Sequence, residues 1–492
     1  MRVAFVTSEV NPFSKTGGLA DVSEALPSAL AELGLDVTVI SPLYRSAAAA
    51  LARLGLAVEE HTGPTLWIGS ERHTVRYRTV RHAGCRLVFV VDDAFFDRPS
   101  LYVGPGGADY ADNVARFAFL SRCALEYWLG GAPPPDILHV NDWQTALVPV
   151  YLETLYRRSA LAAARRVLTI HNLGYQGRFS ALQLYATGLD WGVFHPGALE
   201  FYGQLNLLKG GLVFADAITT VSPTYAEEIQ LPAFGNGLDG VLRDLRGKLT
   251  GILNGIDTRR WNPATDELLP ARFDAGNPSG KSACKRALQE RLGLPGITDA
   301  FVLGVISRFD VQKGIPLIAD AMEILAPLPV QLAVLGSGDA GLERRMRALA
   351  ADHPLQIAVA VEFDEGLAHL IEAGADAFLM PSAYEPCGLN QMYSQRYGTV
   401  PIVHATGGLK DTVVDGTPER LAAGTASGFS FSAFDAGHLA EAILRAWRLY
   451  SEAPHSWRQL QQHIMALDHS WSTSARGYAD LYAQLAGRPA TP

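Results

Sequence analysis

Cysteine is scarce: the 492 residues hold four, Cys85, Cys123, Cys284 and Cys387, far apart and in no Cys-x-x-Cys arrangement. That excludes a disulfide framework and a zinc ribbon, and it fits a reducing compartment. Excess positive charge is lacking as well. With 41 Lys and Arg against 50 Asp and Glu the net charge is −9, whereas a protein that neutralises phosphates along a nucleic acid needs clustered basic residues. No apolar run approaches the roughly 20 residues needed to span a bilayer. The sequence therefore predicts neither nucleic acid nor membrane as a partner. The opening stretch MRVAFVTSEVNPF reads as a short strand broken by Ser8, Glu9 and Pro12, not as a signal peptide, so the expected compartment is the cytoplasm. There is no Asp-x-Asp pair and no His-Glu-x-x-His. A metal-dependent mechanism thus has no visible ligand set, and no cofactor is expected.

What is present is an alternation of short apolar runs, rich in Val and Ile, with helical patterns. The runs fall at Val3–Thr7, Val37–Ser41, Leu87–Val91, Ile137–Val140, Val167–Ile170 and Ile218–Val221. They resume at Val302–Ile306, Leu332–Leu335, Ile357–Val361, Ala377–Met380 and Pro401–His404. Near-continuous apolar strands separated by helices predict parallel sheets covered on both faces. At this length the expectation is an α/β protein of two Rossmann-like, doubly wound lobes facing a cleft. The division falls near Gly251–Asp257, ahead of an irregular stretch, Asn262–Gly280, rich in Pro, Gly and Asp. Residues 1–250 and 251–470 are then the two lobes. Residues 471–492 have helical spacing and are expected to pack back on the first lobe.

Ligands of open parallel sheets sit outside the carboxyl ends of the strands, so the loops there carry the candidate chemistry. The stretch Met380–Thr412 offers two such loops, one with Glu385 and Cys387, the other a Gly407-Gly408 turn into a helix. Glu385 is expected to face a ligand, and the turn's backbone N–H groups an anion. Ser307–Gly314 places Arg308 and Lys313 on one loop, where both can turn toward a diphosphate. Lys15-Thr16-Gly17-Gly18 opens a helix; glycines allow close backbone approach and the lysine is a point charge suited to phosphate. A plain turn with a solvated lysine fits that stretch equally well. His171, at the end of Val167–Ile170, either hydrogen-bonds a sugar hydroxyl or is a structural histidine. These features together point to a sugar-transferring enzyme.

Two nucleotide-type patterns compete with that reading. Gly336-Ser337-Gly338-Asp339-Ala340-Gly341 is a literal G-x-G-x-x-G, with Glu362 near the position of a ribose-binding acid. It follows a second strand, however, and does not open a βαβ unit. Gly276–Ser282 resembles a Walker A loop one residue short and lacks the preceding strand, so it reads as an irregular loop leading into a helix at Cys284–Leu292.

The motifs KTGGLAD (Lys15–Asp21), TIHNLGYQG (Thr169–Gly177), EFYGQLNLLKGGL (Glu200–Leu212), TTVSPTYAEEI (Thr219–Ile229), ILNGID (Ile252–Asp257), SRFDVQKG, EPCGLNQMYSQRYGTVPIV and TGGLKDTV (Thr406–Val413) occur in this order over nearly the whole chain. In this the sequence resembles the bacterial glycogen synthase and plant starch synthase family. The resemblance implies two lobes in the GT-B arrangement, with an acceptor-side first lobe and a nucleotide-sugar-side second lobe. It implies transfer of glucose from ADP-glucose to the non-reducing end of glycogen or another α-1,4-glucan, with retention at the anomeric carbon and without a metal. By the same resemblance Glu385, Arg308, Lys313 and His171 are catalytic. Lys15, Gly18, Asp21, Asn254, Gly336, Phe363, Cys387, Gly388, Leu389, Thr406, Gly407 and Gly408 would bind the donor, and Asp142 and Trp143 would line the acceptor side. Phe363 stands where the family usually has a tyrosine near the adenine.

The sequence departs from the family at three further places. The family's His-x-His-Asp-Trp-His stretch reads His139-Val140-Asn141-Asp142-Trp143-Gln144, and the arginine usual before the aromatic of the Glu-Pro-Cys-Gly loop is Ala383. The alternatives are a related glucosyltransferase using UDP-glucose or a short acceptor, and a glucan-binding protein that has lost catalysis.

Overall fold

The computed structural model describes residues 1–488, and the chain divides into two compact units. The first comprises Met1–Val221, Ala226–Asn254 and the segment from Trp471 onward; the second comprises Ser222–Tyr225 and Gly255–Ser470. Residues 489–492 of the expected C-terminal segment lie outside the described residues.

The first unit is built on a nine-stranded sheet. Its strands are β1 (Arg2–Val6), β2 (Asp36–Pro42), β3 (Glu59–Ile68), β4 (Glu71–His82), β5 (Cys85–Val91), β6 (Ile137–Asn141) and β7 (Arg165–Ile170). Three short strands, β8 (Arg178–Ser180), β9 (Glu200–Phe201) and β10 (Gln204–Asn206), form a separate antiparallel sheet before β11 (Ala217–Thr220) and β12 (Leu249–Gly251) complete the large one. The order is β12-β11-β7-β6-β1-β2-β5-β4-β3. Pairing is parallel from β12 to β5, each return passing through a helix, and all of these strands but the edge strand β12 are buried along most of their length.

The antiparallel hairpin β3–β4 was not among the expected strands. In β4 every second residue is buried, with Arg72, Thr74 and Arg76 outside and His73, Val75 and Tyr77 inside. A search for continuous apolar runs passes over such a half-buried edge.

The chain leaves β1 toward β2 on one side and returns to β6 on the other, so the order reverses between β1 and β6. The loops after β1, β6 and β7 leave the carboxyl edge around that point. They carry Lys15, Asp142 and His171.

The C-terminal helix Trp471–Ala486 belongs to this first unit, and a histidine holds it. His139 on β6 is fully buried, with Nδ1 2.5 Å from the Tyr482 hydroxyl and Nε2 2.6 Å from Thr169 Oγ1. Phe5 packs edge-on and Tyr478 stacks on the ring. Burial lowers its pKa from 6.5 to about 3, so the imidazole is neutral. Its unfolded form gains a proton below pH 6.5 while the folded form does not, so acidification through that window destabilises the unit by about 1.4 kcal/mol per pH unit. His139→Leu should remove both hydrogen bonds and strand the buried Tyr482 hydroxyl, while Thr169 Oγ1 keeps Thr219 Oγ1 at 2.6 Å. A loss of about 2–4 kcal/mol in urea unfolding is expected, with the C-terminal helix the first segment cut by protease.

The second unit carries a six-stranded parallel sheet in the order β15-β14-β13-β16-β17-β18. These strands are β13 (Phe301–Ile306), β14 (Val330–Leu335), β15 (Ile357–Ala360), β16 (Ala377–Met380), β17 (Val400–His404) and β18 (Phe429–Phe431). Side chains alternate between two cores: Phe301, Leu303 and Val305 of β13 enter one with Ile318, Met322 and Ile443, while Val302 enters the other with Leu288, Leu367 and Ile371. The helix begun by the Walker-like stretch starts at Ser279, so residues 279–282 are its first turn and not loop. Lys281 is buried there, donating to the carbonyls of Ala373 and Tyr397 and to Thr399 Oγ1. It is therefore a structural lysine. Here too the order reverses, between β13 and β16, and the loops on either side are Ser307–Gly314 and Pro381–Leu389.

Candidate active site

In the second unit the two loops at the reversal are laced together. The Ala383 N–H donates to the Gln312 carbonyl at 2.7 Å, and Gln312 Nε2 donates to the Tyr384 carbonyl at 3.1 Å. These bonds bring Lys313 Nζ to 2.5 Å from Glu385 Oε2, which also accepts from Ser382 Oγ at 3.0 Å. Glu385 is buried and Lys313 is partly so, and an ion pair away from bulk water is strong in proportion. Gly314, next to Lys313, has φ +72°, and a Cβ there would stand 2.0 Å from the Pro381 carbonyl oxygen. Only glycine lets the two loops approach this closely. Arg308 projects into solvent and makes no ion pair among the described residues.

The Gly407-Gly408 turn differs from the expectation. The Gly408 N–H already donates to the carbonyls of Glu385 and Pro386, at 3.1 and 3.2 Å, and the Leu409 and Lys410 amides turn back to Thr406. The helix they open, Gly407–Thr412, has only six residues. The turn's first task is thus to seat the Glu385 loop. Gly336 is likewise a packing glycine: a Cβ there would meet the Ser307 carbonyl oxygen at 1.9 Å, and its own N–H continues the ladder to Ala360. The G-x-G-x-x-G pattern follows from this packing of the Ser307–Phe309 loop. Cys387 is buried, and the helix Asn390–Arg396 follows Gly388 and Leu389, with Asn390 Nδ2 donating to the Ile306 carbonyl. Phe363 is 96 % exposed on the loop after β15, an apolar ring left wholly in water.

In the first unit, sequence reasoning missed the residue that shapes the Lys15 loop. Glu9 is buried, and its carboxylate accepts from the Thr16 N–H and Oγ1, both at 2.6 Å, from the Gly17 N–H at 3.3 Å and from the Tyr102 hydroxyl at 2.6 Å. The signal was an acidic residue inside a buried run, read only as a strand breaker. The Thr16 and Gly17 amides, just ahead of Gly18, are therefore taken by the protein's own carboxylate. The helix Gly18–Glu32 then starts without a side-chain cap among the described residues. Lys15 Nζ pairs with Asp21 Oδ1 at 2.7 Å, and both are solvent-accessible. Beside this loop is a concave pocket of about 550 Å³ lined by Phe13, Lys15, Ala49, Arg53, Arg98 and Leu101.

Asp142, the first residue after β6, has φ +54°, a left-handed conformation that Asp and Asn adopt more readily than other side chains. Its Oδ1 accepts the His171 N–H at 2.7 Å, which ties the ends of β6 and β7 together. Burial outweighs that bond and pushes the carboxyl from 3.8 up to about 7. His171 Nε2 lies 2.9 Å from Asn141 Oδ1, and burial lowers its pKa to about 3. The usual order of these groups is inverted: the histidine stays neutral and the acid titrates near neutrality. Trp143 is 7 % exposed, held between Phe117, Phe179 and Gly177. It supports the Asp142 turn and presents no open ring face. Asn254 is buried with its Oδ1 unmatched among the described residues.

The raised Asp142 pKa gives a stability test. The folded state holds this proton more tightly than the unfolded chain, so the contribution is full below pH 3.8 and is lost as pH rises through about 7. Asp142→Asn keeps an acceptor for the His171 N–H and tolerates φ > 0. It should raise the melting temperature at alkaline pH and leave it unchanged in acid. Equal shifts at both ends would contradict this account.

The two loops at the carboxyl edge of the second sheet thus hold a carboxylate against a lysine, with an exposed arginine on the same loop as the lysine. With two such α/β units this is the GT-B fold of a glycosyltransferase. Residues 2–244 match the starch synthase catalytic domain family, and residues 294–462 match glycosyl transferases group 1. The chain is 49 % identical to glycogen synthase 1 of Methylococcus capsulatus, covering 99 % of this chain and 97 % of that one. It is 49 % identical to the glycogen synthase of Anaeromyxobacter dehalogenans, with 99 % of each covered. Among solved structures it is similar to the catalytic domain of starch synthase IV from Arabidopsis thaliana bound to ADP and acarbose, with 34 % identity, a TM-score of 0.89 and 99 % of both chains covered. The chain belongs to the glycogen synthase and starch synthase family. No helix among the described residues is long and apolar enough to cross a membrane.

Proposed function

We propose that this chain transfers glucose from ADP-glucose to the non-reducing end of an α-1,4-glucan, with retention, in glycogen biosynthesis in the cytoplasm. The observation that carries the reading is the Lys313–Glu385 contact beside the unpaired Arg308. When the bond between glucose C1 and the diphosphate oxygen breaks, positive charge builds on the sugar and negative charge on the leaving group. Glu385 faces the first charge, and Arg308 with Lys313 the second, so two fixed cations take the role a metal would otherwise fill. No cofactor is required; ADP-glucose is a substrate. The acceptor hydroxyl then attacks C1 from the face the diphosphate leaves, which gives retention.

The remaining roles are those the family resemblance implies. Phe363 is a free ring on which an adenine can stack, and loss of water contact on both faces favours that. Cys387, Gly388, Leu389, Thr406, Gly407 and Gly336 shape the backbone that receives sugar and phosphates, and Gly408 holds that backbone in place. By the same resemblance Lys15, the Gly18 amide, Asp21 and Asn254 bind the donor. His171 takes a sugar hydroxyl, and Asp142, supported by Trp143, works on the acceptor side.

The test is ADP release from ADP-glucose with and without glycogen, repeated with UDP-glucose and with maltose. The proposal expects release that needs glycogen and favours the ADP donor. Faster turnover of UDP-glucose or maltose would overturn the substrate assignment, and no release despite glycogen binding would overturn the enzymatic one.

A further inference from the structure

We infer that Asn141 is a positioning residue: it locks the His171 imidazole in the Nε2–H tautomer and leaves Nδ1 as a standing acceptor for a ligand hydroxyl. The argument is one of donors and acceptors. The Val6 carbonyl can only accept, and it lies 3.0 Å from Asn141 Nδ2, so the amide's nitrogen side must face β1. Its oxygen side, also an acceptor only, is then 2.9 Å from His171 Nε2. The proton must sit on Nε2.

The asparagine cannot turn over to accommodate the other tautomer. Asn141 is fully buried, its backbone N–H and C=O are held by Thr145 Oγ1 at 2.7 and 2.8 Å, and a turned amide would set Oδ1 against the Val6 carbonyl, acceptor to acceptor. His171 Nδ1 takes no partner among the described residues. The titratable groups around the ring are Asp142, which accepts the His171 backbone N–H, Glu9, which Asp142 feels, and neutral His139, next to it on β6. Asn141 carries no charge and has only one orientation compatible with Val6. A histidine at this position, as the family resemblance would have it, could titrate or change tautomer and pass that change to His171. Asparagine removes the freedom.

The link to catalysis rests on the proposal that His171 holds a sugar hydroxyl; the tautomer itself does not. Both are read in one series. In the full chain labelled with ¹⁵N-histidine, with His171→Gln used to assign the resonance, His171 should show a protonated Nε2 and an unprotonated Nδ1 near neutral pH. A proton on Nδ1, or on both nitrogens, overturns the inference. In Asn141→Asp the carboxylate favours the imidazolium, so Nδ1 becomes a donor. Its kcat/KM for the donor should fall about 10- to 100-fold at about pH 6 and recover as pH rises, an acid limb absent from the wild type. If the spectrum shows the imidazolium and the pH profile is unchanged, the sugar contact of His171 is wrong while the tautomer assignment stands. If His171 stays neutral in Asn141→Asp, control by residue 141 is refuted. The wild-type spectrum decides the tautomer even if the aspartate variant fails to fold.

Discussion

Replacing Glu385 by glutamine is expected to lower kcat by about 10²- to 10³-fold, the size seen when one preorganised electrostatic group is removed from a reacting centre. The amide keeps the shape and an acceptor for Ser382 Oγ, so the loop stays in place. What disappears is the negative charge opposite the developing positive charge. The same change takes the counter-charge from Lys313, which is 22 % exposed and lies 2.5 Å from the carboxylate oxygen that also accepts from Ser382. An unpaired, half-desolvated ammonium should cost roughly 1–3 kcal/mol of stability. Adding Lys313→Met to Glu385→Gln should restore most of that stability and none of the turnover. The two substitutions are coupled in stability because they share a contact, and each acts on the reaction through a different charge. Urea melts and steady-state rates on the four proteins of this cycle check both parts. A Glu385→Gln enzyme with undiminished kcat would contradict the role given to the carboxylate.

Gly407→Ala should be almost as damaging, though residue 407 carries no functional group. Its φ is +45°, and a Cβ would stand 2.0 Å from the Glu385 carbonyl oxygen. The neighbouring Gly408 N–H bonds that same oxygen at 3.1 Å, so relief requires lifting the Glu385 loop off the helix. The expected cost is about 2–4 kcal/mol in stability. Turnover should fall about 10²-fold, because a displacement of roughly 1 Å at the reacting centre has that consequence. Gly424 provides the control: its φ is +66° but nothing lies within 4 Å of a Cβ there. Gly424→Ala should lose about 1 kcal/mol through backbone strain alone and turn over normally. Equal behaviour of the two variants would show that the conformation, and not the packed loop, matters at Gly407.

Much of the architecture was legible because parallel strands buried on both faces leave continuous apolar runs, and loops at their carboxyl ends stand out by contrast. Glu385, Arg308 and Lys313 could be found that way. What was not legible depends on partners distant in sequence. Glu9 looks like a strand breaker until Thr16, Gly17 and Tyr102 are brought to its carboxylate. Gly408 looks like an anion cradle until the Glu385 carbonyl is laid over it. Trp143, expected only to line the acceptor side, shows its packing once Phe117 and Phe179 close on its ring. The β3–β4 hairpin was missed for a different reason, since its burial alternates along the strand. Neither spacing nor composition reports the inverted titration of Asp142 and His171, which burial produces.

The central claim is transfer of glucose onto the non-reducing end of a glucan with the α configuration retained. The most direct measurement supplies ADP-glucose labelled in the sugar together with glycogen, then digests the washed polymer with an exo-acting β-amylase. The account predicts label in the polymer, released early as maltose, and its disappearance in Glu385→Gln. Label that stays out of the polymer, or enters it in a linkage the amylase cannot cut, would contradict it.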